Sequence, residues 1–348
     1  MFGRYNIGID LGTANTLVYV KGNGIVVREP SIVAKNMHTG TVEAIGLKAK
    51  QLTDRTSSHI VSVRPMQSGV IADYDTAATM IRYFMKKAFE NKGKLLNVMN
   101  WRKSNVMICV PVGTTPVEKR AIHEAAKQAG AHNVYTIEEP FAAAMGASLP
   151  VWEPNGSMVI DIGGGSTEVG VLSYGGIVTS SSLRIAGDDM DEAIIQHVKK
   201  KYNIWIGKQT AETLKIEIGS AMKPDKDEYK EIRGLDLVTG LPKIVSVSST
   251  DIYEALIVIT NAIVEIVKNT LEKIPPELAS DVIDQGVVLA GGGALLRRLN
   301  TLISDEILIP VHVSESPLDC VAVGTGSAFE HLDLIQSTID SKNKELSH

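Results

Sequence analysis

The chain has 348 residues, enough for about two domains that can each bury a core. Hydrophobic residues make up 44% and charged residues 22%, with Gly 30 and Pro 13, which excludes a disordered, collagen-like or linker-type chain. The 35 basic and 40 acidic residues give a net charge of -5, which argues against a nucleic acid as the main partner. From the N-terminus, MFGRYNIGIDLGT is too short in its apolar part, and too interrupted by Asp10, for a signal peptide. No apolar run approaches the roughly 18 residues that span a bilayer. Residues 6–27 then read as strand, Asp-x-Gly turn, strand, glycine turn and strand. Ala77, Met80, Ile81, Phe84, Met85 and Ala88 recur at helical spacing. The strand NVMICVP follows. Thr115, Pro116, Glu118 and Gly130 supply the cap, first turn, capping box and stop of the next helix.

Residues 158–178, MVIDIGGGSTEVGVLSYGGIV, repeat the opening pattern at half-chain spacing, which points to duplication. A helix, DDMDEAIIQHVKKKY, has acids at its start and lysines at its end, as the helix dipole favours. Residues 250–273 form the longest helical pattern, stopped by Pro275 and Pro276. Strands alternating with helices make this an α/β protein with mixed sheets. Cys109 and Cys320 sit in separate apolar settings and read as buried thiols. The eight histidines show no metal-ligand spacing.

Three glycine turns carry the chemistry: DLGTANT from Asp10 to Thr16, DIGGGST from Asp161 to Thr167, and Gly291 to Gly293, which join the very apolar strand VVLA to a helix. Glycine lets backbone N–H groups approach a phosphate. Asp10 and Asp161, each where a strand meets its turn, could face each other across a triphosphate and orient Mg²⁺ and its waters. Any one turn alone is equally well an ordinary hairpin; the matched set is more specific. There is no G-x-x-x-x-G-K-[ST] and no G-x-G-x-x-G after the first strand, so P-loop and Rossmann sites lack support.

DLGTANTL, DIGGGSTEV and LAGGGALL resemble the actin, DnaK-type chaperone and sugar kinase superfamily. GIDLGTANTLVYVKGNGIVVREPSIVA, RPMQSGVIADYD, IEEPFAAAMGASLPVWEPNGSMVIDIGGGSTEV, IAGDDMDEAI, TAETLKIEIGSA, EIRGLDLVTGLPK and PLDCVAVGTG resemble the MreB family of bacterial actin homologues, from about residue 5 to 335. The resemblance implies an actin-like ATPase fold of two duplicated domains, each a mixed sheet flanked by helices, with a nucleotide cleft between them. It places the first domain at 1–145, with a small subdomain at about 32–75, and the second at 146–335, with one at about 185–250. Residues 336–348 form a polar tail.

The resemblance also implies ATP and Mg²⁺ as cofactors. Thr13, Ala14 and Asn15 match one phosphate loop, and Gly163, Gly164 and Gly165 the other. Glu212 and Lys215 match positions beside the adenosine, and Gly291, Gly292, Gly293 and Ala294 the loop under the adenine. Three apart on one helix, Glu212 and Lys215 could equally be a solvated pair. Asp10 and Asp161 would hold Mg²⁺ through water. The family assigns water orientation to a glutamate, matched here by Glu139, and to a Thr replaced here by Ser166. Glu138 and Glu139 could also simply be helix N-terminal acids. Gln67 and Ser68 depart from the family's Lys-Asp pair.

The function implied is an ATP-hydrolysing cytoskeletal protein of cell shape. Its partners would be itself, in head-to-tail and antiparallel double filaments, the inner face of the cell membrane, and membrane proteins of the cell-shape machinery, with no nucleic acid. It would be cytoplasmic and peripheral at that face. In the 92–104 segment, Leu95, Leu96 and Trp101 lie between Lys92, Lys94, Arg102 and Lys103, a pattern suited to an interfacial insertion or to a buried hairpin. A small-molecule kinase would need a catalytic base by a substrate pocket, and none stands out. A chaperone ATPase would need a peptide-binding domain beyond the match.

Overall fold

The structure, a computed structural model, describes residues 5–53, 59–67, 69–89 and 104–335. Leu95, Leu96, Trp101 and the bases around them therefore lie outside the described residues, as do Ser68 and the polar tail.

The first half begins with β1 (Asn6–Leu11), β2 (Asn15–Val20) and β3 (Gly24–Pro30). A small sheet follows, made of β4 (Val33–Asn36), β5 (Val42–Ile45) and β6 (Ile60–Val63), then the short pair β7 (Met66–Gln67) and β8 (Val70–Ile71). β9 (Asn105–Val110) and β10 (Asn133–Glu138) complete a five-stranded sheet of order β10-β9-β1-β2-β3. β1 runs antiparallel to β2 and parallel to β9, with Ile9 opposite Val18 on one side and Ile108 on the other.

The second half repeats this plan. β11 (Ser157–Ile162), β12 (Thr167–Ser173) and β13 (Gly176–Leu183) form the meander; β14 (Ile204–Trp205), β15 (Tyr229–Asp236) and β16 (Pro242–Ser248) form a small sheet. β17 (Val287–Ala290) and β18 (Val311–Val313) close the order β13-β12-β11-β17-β18. β11 is antiparallel to β12 and parallel to β17, as β1 is to β2 and β9. Both central strands are buried on both faces, which is why they read as continuous apolar runs.

The local signals act as written. Thr115 Oγ1 accepts from the Glu118 N–H at 3.3 Å, Glu118 Oε2 accepts from the Thr115 N–H at 2.8 Å, and Gly130 ends that helix in the left-handed region. Ser248 and Asp251 cap each other at the start of the long helix Ser249–Leu271. One difference concerns Gly291 to Gly293. They lead into a 3-10 turn, Gly292–Leu295, and the helix Leu299–Ile307 begins only after Arg298 takes a left-handed conformation.

Each half has its own apolar core, and a third cluster joins them. That third cluster holds Met107 and Ile137 from the first sheet, Val159 and Leu172 from the second, and Phe141 and Val321 from two helices. Those helices, Glu139–Gly146 and Cys320–Ser327, pack on each other, and the second also packs on β1 and β2. The halves are thus fixed along one seam, opposite a cleft.

Candidate functional site

The cleft encloses about 350 Å³. Two hairpin turns face each other across it because β1–β2 and β11–β12 occupy equivalent places in equivalent sheets. Thr13, Ala14 and Asn15 line it from one side, and Gly163, Gly164, Gly165 and Ser166 from the other. A Cβ built on Gly164 would stand 2.8 Å from the Ala14 Cβ, so glycine is what permits the two turns to approach.

The turns are held differently. The Ser31 hydroxyl donates to Gly12 O at 2.6 Å, and with its proton so used it accepts from Thr16 Oγ1 at 2.8 Å. Thr13 Oγ1 accepts from the Gly69 N–H at 3.2 Å. The Ser31 N–H also donates to Ala14 O at 3.0 Å, and on the other side two main-chain bonds reach the turn. Gly187 N–H donates to Gly163 O at 3.2 Å and Asp188 N–H to Gly164 O at 2.7 Å.

Asp10 and Asp161 are the next-to-last residues of β1 and β11 and line the cleft with Glu139. Asp10 Oδ1 accepts from the Cys109 thiol at 3.4 Å, and burial lifts its carboxyl to about 6. Asp161 is buried, and its Oδ1 has no hydrogen-bond partner. Burial, then the charges of Asp10 and Glu168, raise it to about 8. Glu139 is also pushed well above the usual carboxylate range, by burial and then by Glu168, Asp161 and Asp10. A set of inward carboxylates that repel one another, with one oxygen unpartnered, has the chemistry of a divalent-cation site. Glu138, next to Glu139, turns instead toward Lys119, 3.9 Å away. One residue per direction follows from the main chain: Glu138 is the last of β10 and Glu139 the first of a helix.

Glu212, Lys215, Gly291, Gly292 and Gly293 also line the cleft, with Ile216, Leu296 and Leu318 adding apolar surface. Gly291 has φ 78°, and a Cβ there would stand 2.6 Å from Asp161 Oδ1. Ala294 is buried behind this turn and is not among the lining residues. Lys215 does not pair with Glu212. Its Nζ lies 2.7 Å from Asp191 Oδ1 and donates to Gly187 O at 2.9 Å, so it braces the Gly163–Ser166 turn from behind.

Sequence reasoning missed Asp188, Asp191 and Glu168. The first two stand in the quoted IAGDDMDEAI, where they read only as helix N-terminal acids. Glu168 lies directly opposite Asp161 in the β11–β12 register, a position that the four-residue turn between them fixes. It is wholly buried and accepts from the Val112 N–H at 3.2 Å and the Ser182 hydroxyl at 2.6 Å. Burial first raises it to about 7.

The MreB/Mbl protein family model matches residues 4–337. Cell shape-determining protein Mbl of Bacillus cereus is 47% identical over 96% of this chain and 98% of its own. Cell shape-determining protein MreB of Escherichia coli K12 is 50% identical over 94% of each. A crystal structure of MreB 5 of Spiroplasma citri bound to AMPPNP is 36% identical, with a TM-score of 0.88 over 100% of both chains. The duplicated sheets and the cleft between them are the actin-like fold, and the chain belongs to the MreB/Mbl family of cell shape-determining proteins.

Proposed function

We propose that the cleft binds ATP with Mg²⁺ and hydrolyses it, and that the chain forms filaments whose assembly follows the nucleotide. The observation that carries this reading is the pair of opposed turns, with Asp10, Asp161 and Glu139 gathered between them. The phosphates lie between Thr13–Asn15 and Gly163–Gly165, taking main-chain N–H groups as donors. The adenosine occupies the end with Glu212, Lys215 and Gly291–Gly293. Asp10 and Asp161 would hold the waters of Mg²⁺, whose positive charge would favour the ionised carboxylates that burial now disfavours. Glu139, aided by the Ser166 hydroxyl, orients the water attacking the γ-phosphate. The S. citri relative bound to AMPPNP supports the nucleotide. A head-to-tail contact that does not close on itself gives a filament. The filament lies on the inner face of the membrane, with Leu95, Leu96 and Trp101 as its anchor. Among the described residues no helix is long and apolar enough to cross a membrane.

Sedimentation and negative-stain imaging with ATP, with ADP and without nucleotide test the reading. Filaments that depend on ATP are expected; an identical result in all three conditions overturns the link between nucleotide and assembly. Adding liposomes tests the anchor: Leu95→Ser with Leu96→Ser should polymerise yet lose co-sedimentation.

A further inference from the structure

Asp188 stands at a junction. It lies in the first turn of the helix Gly187–Tyr202, lines the cleft, and gives its main-chain N–H to Gly164 O at 2.7 Å. Its carboxylate meets two cations. Lys208 Nζ, from the same half of the molecule, is 2.7 Å from Oδ1. Arg64 Nη1, from the other half and 124 residues earlier, donates to Oδ2 at 3.1 Å. Arg64 follows β6 in the small sheet of the first half. This ion pair therefore spans the cleft at its phosphate end, whereas the pair Arg28–Asp319 sits on the packed seam beside Cys320–Ser327.

We propose that Arg64 and Asp188 form a latch across the cleft that slows release of bound nucleotide, an inference resting on the reading of the cleft as a nucleotide site. Both side chains are less than a third exposed, so water screens the pair less than at an open surface. Any opening that parts the two halves must separate them. Lys208 makes the separation affordable: it moves with Asp188, so the carboxylate keeps one cationic partner when Arg64 leaves. The latch can therefore close and open without stranding a charge. It also senses the phosphate-side turn, because the residue that carries the carboxylate is hydrogen-bonded through its main chain to Gly164. A phosphate that fixes Gly163–Gly165 fixes Asp188 in the position Arg64 reaches; loss of the phosphate loosens both together.

The test is stopped-flow release of a fluorescent ADP analogue from the full chain. Arg64→Gln should speed release about 2- to 5-fold, the range expected of one partly exposed ion pair, with association little changed. Asp188→Asn should do at least as much. The double variant should release no faster than Asp188→Asn alone, because both changes remove one interaction. Arg64→Lys, which keeps the charge, should fall near wild type. Lys208→Gln should change release less than Arg64→Gln, since that pair does not cross the cleft. Raising salt from about 0.05 M to about 0.5 M should speed release from wild type and not from Arg64→Gln. Thermal melts of each variant establish that it is folded. Unchanged release from a folded Arg64→Gln that binds the analogue overturns the latch and leaves the nucleotide site standing, as does a double variant whose effects multiply. Failure of the wild-type chain to bind the analogue overturns the nucleotide reading, and the latch with it.

Discussion

The two turns that face each other across the cleft occupy the same place in two sheets of the same order, yet their supports are weighted differently. The first, between β1 and β2, rests mostly on hydroxyls, Ser31 on Gly12 O, Thr16 on Ser31 and Thr13 accepting from Gly69, beside one main-chain bond from the Ser31 N–H to Ala14 O. The second, between β11 and β12, rests on two main-chain N–H groups, those of Gly187 and Asp188, with the Thr167 hydroxyl on Ile185 O and the Lys215 ammonium behind them. The surrounding small sheets also differ, β5-β4-β6 in one half and β14-β15-β16 in the other. Duplication has kept the central sheet, which fixes where the carboxylates point, and left each half to support its turn with whatever its neighbouring segment offers. The first support is mostly side chain, and the bonds made directly to the second turn are main chain.

The strongest way to break this comparison is to force the turns apart. Gly164→Val places a branched Cβ where Ala14 already stands 2.8 Å away, and nucleotide affinity should fall roughly 10- to 100-fold in titrations with a fluorescent analogue. Unchanged affinity would mean that the two turns need not meet for binding.

Next in size is the chemistry between them. Glu139→Ala should lower ATP turnover by about 100-fold while affinity stays within a few-fold. Glu138→Ala, whose carboxylate turns toward Lys119, should stay near wild type. A reversal of the two would transfer the water-orienting role to Glu138.

The carboxylates give a pH signature. Asp10, Glu168 and Asp161 titrate at about 6, 7 and 8 in the folded chain, all above their ordinary values. The folded state then binds more protons than the unfolded state from about pH 4 upward, so nucleotide-free stability should fall as pH rises towards 8. The melting temperature should be lower at pH 8 than at pH 6, and Mg²⁺ with ADP should stabilise more at pH 8. A flat profile without nucleotide would show that these groups do not share one buried, mutually repelling site.

The smallest effect separates the two kinds of support. Ser31→Ala removes the hydroxyl bonded to Gly12 O and Thr16, and should cost about 1 kcal/mol in denaturant melts. Among the described residues, side chains reach the Gly163–Ser166 turn through its neighbours, Thr167 by Ile185 O and Lys215 by Gly187 O, so deleting either should loosen that turn less directly. Ser166→Thr restores the family's residue and should hold turnover or raise it.

By itself the sequence determined the alternation of strands and helices, their caps, the duplication, and the three glycine turns with their aspartates. These are local: a period, a cap or an Asp-x-Gly turn lies within a few residues, and the chain spells it out. Glu138 and Glu139 were legible as a pair, but which one enters the cleft depends on where β10 ends and the helix begins. The partners of Lys215 and Asp188 were decided by tertiary structure alone. Glu212 is three residues from Lys215, yet Lys215 turns to Asp191, because packing of two helices brings that buried carboxylate to 2.7 Å. Arg64 and Asp188 are 124 residues apart, and no pattern in either segment names the other. Helical spacing sets which residues share a face; only the packed fold sets what that face meets, and an ion pair forms where burial makes leaving a charge unpaired costly.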